Sequence, residues 1–255
     1  MVVVIIQARM GSTRLPGKVL KDIVGKPLLS HVVERVLAIQ RVDQVIVATT
    51  TKEQDNSIVT LCTQLGVSCF RGSEEDVLDR YYQAAKWIGA DVIVRITADC
   101  PLIDPVVSEK VVDAYLRGGC DYASNSLKRT YPDGLDTEVF SFEALEKAWR
   151  EAKLPSEREH VTPYIWKNGN LFRLRNVMQK VDLSHLRWCV DEFEDLEFVR
   201  KVYERLYKPG RIFLMNDILK LLEQEPSLMD INAHIKCNEG YQKSLQKDKL
   251  KDAKP

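Results

Sequence analysis

The sequence predicts an α/β fold built on a mostly parallel sheet, and three observations lead there. An apolar run, Val2 to Ile6, opens directly into Gln7-Ala8-Arg9-Met10-Gly11-Ser12-Thr13-Arg14-Leu15-Pro16-Gly17-Lys18. Short apolar runs then alternate with amphipathic stretches across the first half of the chain, as in strands joined by crossover helices. The 255 residues are 45% apolar, enough to bury a substantial core, and they show neither an internal repeat nor a linker between independent domains.

Taken in order, residues 2–6 read as the first strand. Beyond the loop, Leu28, Leu29, Val32, Val33, Val36 and Leu37 fall on one helical face. Residues 45–48 read as a strand ending in Thr49-Thr50-Thr51, followed by a helix over 54–65 that stops before Gly66. A strand over 67–70, a helix over 75–88 and a strand over 91–96 come next. A further helix starts near Pro105, with Asp104 placed to cap it.

The stretch 118–176 is less regular, with a strand over 136–140, helices over 142–152 and 157–167, and an extended piece over 171–175. It is expected to be an excursion from the sheet that covers the substrate or forms a homodimer interface. A strand over 188–190 should lead into a helix over 194–206. Residues 1–240 are thus expected to form a single domain, and the lysine-rich 241–255 a flexible tail.

Bulk properties narrow the function. Lys+Arg and Asp+Glu both number 37, and a net charge of zero argues against bulk nucleic-acid binding. The apolar start lacks a basic leader and is too short to cross a bilayer, so a cytoplasmic protein without membrane insertion is expected. Six cysteines (Cys62, Cys69, Cys100, Cys120, Cys189, Cys237) lack metal-site spacing and read mostly as small buried residues.

The chemistry-bearing residues lie in loops after strands, where open parallel sheets bind ligands. In the opening loop, Arg9, Arg14 and Lys18 supply cations for a triphosphate, and Met10, Gly11 and Ser12 supply backbone donors. The loop matches neither the P-loop nor the dinucleotide-binding fingerprint. Thr49-Thr50-Thr51, Arg71-Gly72-Ser73 and Thr97-Ala98-Asp99-Cys100-Pro101-Leu102 should converge on the same crevice. Asp76, Asp79 and Arg80 share a predicted helix, where a salt-bridged surface is the plain alternative to a ligand contact. A Pro-Asp-Gly turn carries Asp133 and leads to Asp136 and Glu138, which suit hydroxyl recognition or simply the turn.

Ala8-Arg9 followed by Ser12-Thr13-Arg14-Leu15-Pro16-Gly17-Lys18 resembles the signature of the cytidylyltransferases that activate sugar acids, the 3-deoxy-manno-octulosonate and acylneuraminate synthetases. The spore coat polysaccharide (SpsF-like) branch is more similar still. The resemblance there extends to Arg71-Gly72, Asp76-Val77-Leu78-Asp79-Arg80-Tyr81, Pro132-Asp133-Gly134-Leu135-Asp136 and Glu159-His160-Val161-Thr162-Pro163-Tyr164. It runs from Met1 to about Tyr207, although Gln7 stands where many sugar-acid synthetases have proline.

The resemblance implies a nucleotide-diphosphosugar transferase (GT-A-like) three-layer sandwich and transfer of CMP from CTP to a sugar or sugar acid, with pyrophosphate released, in surface or spore-coat polysaccharide biosynthesis. It also implies Mg²⁺ on Asp99 and Asp191, with catalytic roles for Arg14, Lys18 and Asp99. The nucleotide would be bound by Gln7, Ala8, Arg9, Met10, Gly11, Ser12, Arg14, Lys18, Thr49, Thr50, Arg80 and Asp99, and the acceptor by Asp133, Asp136, Glu138 and His160. Two rivals are a glycosyltransferase on the same fold, disfavoured because Thr97-Ala98-Asp99 lacks a second aspartate, and a non-catalytic nucleotide-binding protein of polysaccharide assembly.

Overall fold

Val3, Val4, Ile5 and Ile6 of β1 (Val2–Gln7) are each fully buried, because this strand lies in the middle of the sheet with both faces covered. β-branched residues suit such a strand, and burial on both faces replaces alternation with a continuous apolar run. The computed structural model describes residues 1–236 and 239–252. A two-residue hairpin, β2 (Asp22–Ile23) with β3 (Lys26–Pro27), carries the opening loop into α1 (Leu28–Val36). The chain continues through β4 (Gln44–Thr50), α2 (Asn56–Leu65), β5 (Ser68–Gly72), α3 (Val77–Ile88) and β6 (Val92–Thr97).

β1 pairs in parallel with β4 on one side and β6 on the other, and β4 pairs in parallel with β5. The register sets Gln7 beside Ala48 and Thr97, and Thr50 beside Gly72. The loops after all four strands therefore leave the sheet along one crest.

α4 (Pro105–Leu116) starts at Asp104, whose carboxylate accepts the N–H groups of Val106 and Val107 at 2.8 and 3.1 Å. That cap leaves Asp99 free for another role. β7 (Tyr122–Ser124) follows, and then β8 (Glu138–Ser141), which runs antiparallel to β6 with Arg95 opposite Glu138. Because β8 arrives in the reverse direction, the residues just before it lie at the same crest as the loop after β6.

The remaining elements are α5 (Phe142–Glu151), α6 (Pro155–His160), α7 (Pro163–Lys167), β9 (Leu174–Asn176), α8 (Phe193–Leu206), α9 (Met215–Gln224) and α10 (Glu239–Asp252). The strand order is β5-β4-β1-β6-β8-β7-β9. Helices α1, α2, α4, α8 and α9 cover the face of Val4, Ile6 and Val94, while α3, α5 and α7 cover that of Val3, Ile5 and Ile93. This is the expected three-layer sandwich.

Three expectations are corrected. The helix predicted over 157–167 is two short helices, because Val161 takes a left-handed φ of 72° and Pro163 begins a new turn. The strand predicted over 188–190 is no strand. Its residues fold back on the Pro132–Gly134 turn through a single bridge between Asp133 and Arg187, and Val190 N–H donates to the Asp99 carbonyl at 2.8 Å. The flexible tail expected over 241–255 is, as far as it is described, the helix α10, packed on α6. Its Asp248 accepts the Ser156 N–H at 2.8 Å, and Ser244 and Asp248 are buried there although the helix is mostly polar. Cys62, Cys100, Cys120 and Cys189 are buried free thiols and Cys69 is half-buried, while Cys237 lies outside the described residues.

Candidate active site

The opening loop turns on one carbonyl. Met10 O accepts the N–H groups of Ser12 and Gly17 at 2.9 and 3.0 Å, and Gly17 takes the left-handed φ of 66° that this turn requires. The Met10 N–H donates to Asp55 at 2.8 Å. Asp55 is fully buried and also accepts the hydroxyls of Thr49 and Thr50, so it clamps the β4 end to the loop. Thr49 and Thr50, expected among the nucleotide-binding residues, are both fully buried and spend their hydroxyls on Asp55. Ala8, also buried, extends the ladder through its N–H to Ala48 O at 3.1 Å, and Gln7 accepts from Arg95 at 3.1 Å.

Two cations remain available beside this loop. Arg9 is half-buried and has no ion pair among the described residues. Arg80 is 1% exposed, donates to Ser73 O at 2.6 Å and leaves its buried Nε without a partner. A Cβ on Gly72 would come within 3.0 Å of the Arg80 side chain, so glycine there lets the arginine lie against β5. Burial lowers the Arg80 pKa. A guanidinium held in this way, with no ion pair among the described residues and only the more distant charges of Asp55 and Glu74 to offset it, favours an anionic ligand. Asp76, by contrast, caps α3 and receives the fork of Arg158, which ties α6 to α3.

Lys18 joins the loop to the far half of the chain. Its ammonium donates to Asp99 and Asp191 at 2.9 Å each and to the Val190 carbonyl at 2.8 Å. Burial alone would lower the Lys18 pKa, but the two aspartates hold it well above its ordinary value. Burial would likewise raise the Asp99 carboxyl, but the Lys18 charge and hydrogen bonds bring it down to about 2. Arg14 reaches the same Asp191 oxygen at 2.8 Å. Two carboxylates that come from residues 92 apart thus converge on one cation at the crest.

A profile of the cytidylyltransferase family matches residues 3–228. The chain belongs to the cytidylyltransferase family. This cytidylyltransferase is 42% identical over 236 residues to an uncharacterized protein of Methanocaldococcus jannaschii, covering 91% of this chain and 94% of the relative. It is 33% identical over 233 residues to the spore coat polysaccharide biosynthesis protein SpsF of Bacillus subtilis, covering 87% and 94% respectively. Among solved structures, a cytidylyltransferase from Leptospira borgpetersenii superposes with a TM-score of 0.85 at 35% identity, covering 89% of this chain and 96% of that one. The protein is therefore a nucleotidyltransferase.

The cytidylyltransferase's acceptor-side candidates are less open than the sequence suggests. Glu138, expected at the acceptor, is 6% exposed and accepts from Arg95, Tyr122 and Thr162, the last at 2.6 Å. Its register opposite Arg95 turns it into the sheet. Asp133 is 7% exposed and lies between Arg129 and Arg187, at 3.4 and 3.7 Å. Asp136 is more accessible and is gripped by the Arg129 fork, while burial pushes its carboxyl up to about 6. His160 does not face open solvent. Its ring meets Ser244 of α10 at 3.0 Å and the edge of Tyr241, and burial, aided by the Arg95 charge, lowers its pKa to about 4.

Sequence reasoning missed Asp55, Arg95, Arg129 and Arg187. Only Arg187 left a trace, being four residues before Asp191 and eight before Asp195, both of which it contacts.

Proposed function

We propose that this cytidylyltransferase transfers CMP from CTP to a hydroxyl of a sugar or sugar acid, releasing pyrophosphate. The observation that carries the reading is the Lys18 ammonium set between Asp99 and Asp191, directly after a loop rich in cations. Arg9 and Arg80 would bind the triphosphate, and Arg14 and Lys18 would neutralise the departing β- and γ-phosphates. Positioning and charge neutralisation supply most of the rate in such transfers.

Asp99 and Asp191 also suit Mg²⁺, a hard cation that usually takes one or two carboxylates and completes its shell with phosphate oxygens and water. When bound, Mg²⁺ would polarise the α-phosphate. The acceptor would enter from the side of Asp136. Similarity to SpsF supports a place in surface polysaccharide biosynthesis. A cytoplasmic location goes with this reading, and among the described residues no helix is long and apolar enough to cross a membrane.

The test is pyrophosphate release from each nucleoside triphosphate with Mg²⁺ and a panel of sugars and sugar acids. Release with CTP alone among the nucleotides, and only when an acceptor is present, is the expected result. Asp99→Asn should keep its thermal transition and lose at least about a hundredfold in turnover. Near-normal turnover of that variant would overturn the assignment of Asp99.

A further inference from the structure

Arg187 lies behind the site rather than in it, 5% exposed, and faces three carboxylates on two stretches of chain. Its Nε and Nη2 donate to the two oxygens of Asp195 at 2.8 Å each, a fork-to-fork pair. Nη2 also meets Asp191 Oδ2 at 3.2 Å, and Nη1 stands 3.7 Å from Asp133 Oδ2. Asp195 is itself immobilised: it accepts the N–H groups of Asp191 and Glu192 at 2.9 Å and the Asn232 amide at 3.0 Å. The same amide donates to the Arg187 carbonyl at 3.0 Å. Asp195 and Asn232 are buried, so this scaffold is shielded from water.

The two oxygens of Asp191 are consequently divided. Oδ2 is turned back to Arg187, whereas Oδ1 alone points forward to Lys18 and Arg14. On the other side, Asp133 joins the 186–188 backbone through its N–H to Leu186 O at 2.9 Å and its carbonyl to Trp188 N–H at 2.6 Å. One guanidinium thus touches both the turn that carries Asp191 and the turn that leads to Asp136.

Resting on the nucleotidyl-transfer reading above, we propose that Arg187 is a positioning residue that makes Asp191 present one oxygen to the nucleotide–metal complex. A lysine cannot replace it, because an ammonium is a point charge and cannot hold Asp195 by a fork while also reaching Asp191.

The test uses Arg187→Lys in the full chain, with Mn²⁺ as the spectroscopic probe in place of Mg²⁺. Three quantities are read: the thermal transition, CTP affinity without metal, and Mn²⁺ affinity of the CTP-bound protein by electron paramagnetic resonance. The expected result is a folded variant with metal-free CTP affinity within about twofold and Mn²⁺ affinity weakened about tenfold. A purely structural role would lower all three together, and that result, like unchanged Mn²⁺ affinity, overturns the proposal. Should Arg187→Lys not fold, Asp195→Asn, which weakens the fork from the other side, carries the same test with the same expected split. Wild-type protein that binds no CTP would overturn the functional reading and this proposal with it. Wild-type binding of CTP and Mn²⁺ together with an unaffected Arg187→Lys overturns the role of Arg187 alone.

Discussion

Lys18 occupies the space between two carboxylates that repel each other without it. Both oxygens lie 2.9 Å from the same nitrogen, so they are within twice that distance of each other. Removing one partner from a shielded ion cluster leaves uncompensated charge. Because the side chains of Lys18, Asp99 and Asp191 are 12, 27 and 19% exposed, solvent reduces the cost below that of a fully buried pair. Lys18→Met is therefore expected to lose about 1–3 kcal/mol in urea denaturation. Added Mg²⁺ should restore more of that loss than it adds to the wild type, since a cation can fill the space the ammonium leaves. Failure of Mg²⁺ to distinguish the two proteins would count against metal at Asp99 and Asp191. The convergence of Lys18 and Asp99 was legible because each lies in a loop just past an apolar run, whereas Asp191 was placed with them only by the family resemblance. Asp55 and Arg187 were not legible as organising residues although most of their partners are near in sequence, because polar and charged side chains spaced four to eight residues apart read equally well as a solvated surface.

Among the elements, the Pro132–Gly134 turn shows how backbone geometry fixes the segment that leads to Asp136. Gly134 has φ 111°, and a Cβ there would stand 2.6 Å from the Cys189 nitrogen and 2.6 Å from the Trp188 carbonyl carbon. These are backbone atoms, which cannot move aside as the end of a side chain can. Gly134→Ala is expected to cost at least about 2 kcal/mol and to push apart the two turns that Arg187 joins. A denaturation midpoint equal to wild type would refute this. The sequence marked the turn by its Pro-Asp-Gly composition. It misplaced the segment over 188–190 as a strand, since an apolar run such as Trp188-Cys189-Val190 looks alike whether it pairs in a sheet or packs beneath a turn.

For the whole molecule, the parallel half of the sheet was the most legible part, because strands buried on both faces announce themselves as apolar runs; the strand order was not read from the sequence. The C-terminal helix was the least legible, because it docks by a few polar contacts that composition cannot display. One of them confers pH sensitivity. His160, held neutral by burial against α10, has its folded pKa lowered to about 4 from 6.5. A histidine with a depressed folded pKa contributes full stability above the unfolded value and loses it as pH falls from 6.5 towards 4. His160→Gln, which keeps a polar partner for Ser244, should flatten that part of the stability–pH curve. Parallel urea titrations at several pH values would show it, and an unchanged slope would sink the idea.

The link between Lys18 and Asp191 spans 173 residues, and this has a consequence in time. A chain emerging from the ribosome can complete the four parallel strands and seat the opening loop once Thr97 is free of the exit tunnel. Until Asp191 follows, Lys18 has Asp99 as its one carboxylate partner, and the crevice has a single wall. The order of synthesis thus lets the opening loop meet Asp99 well before Asp191 can reach the same ammonium.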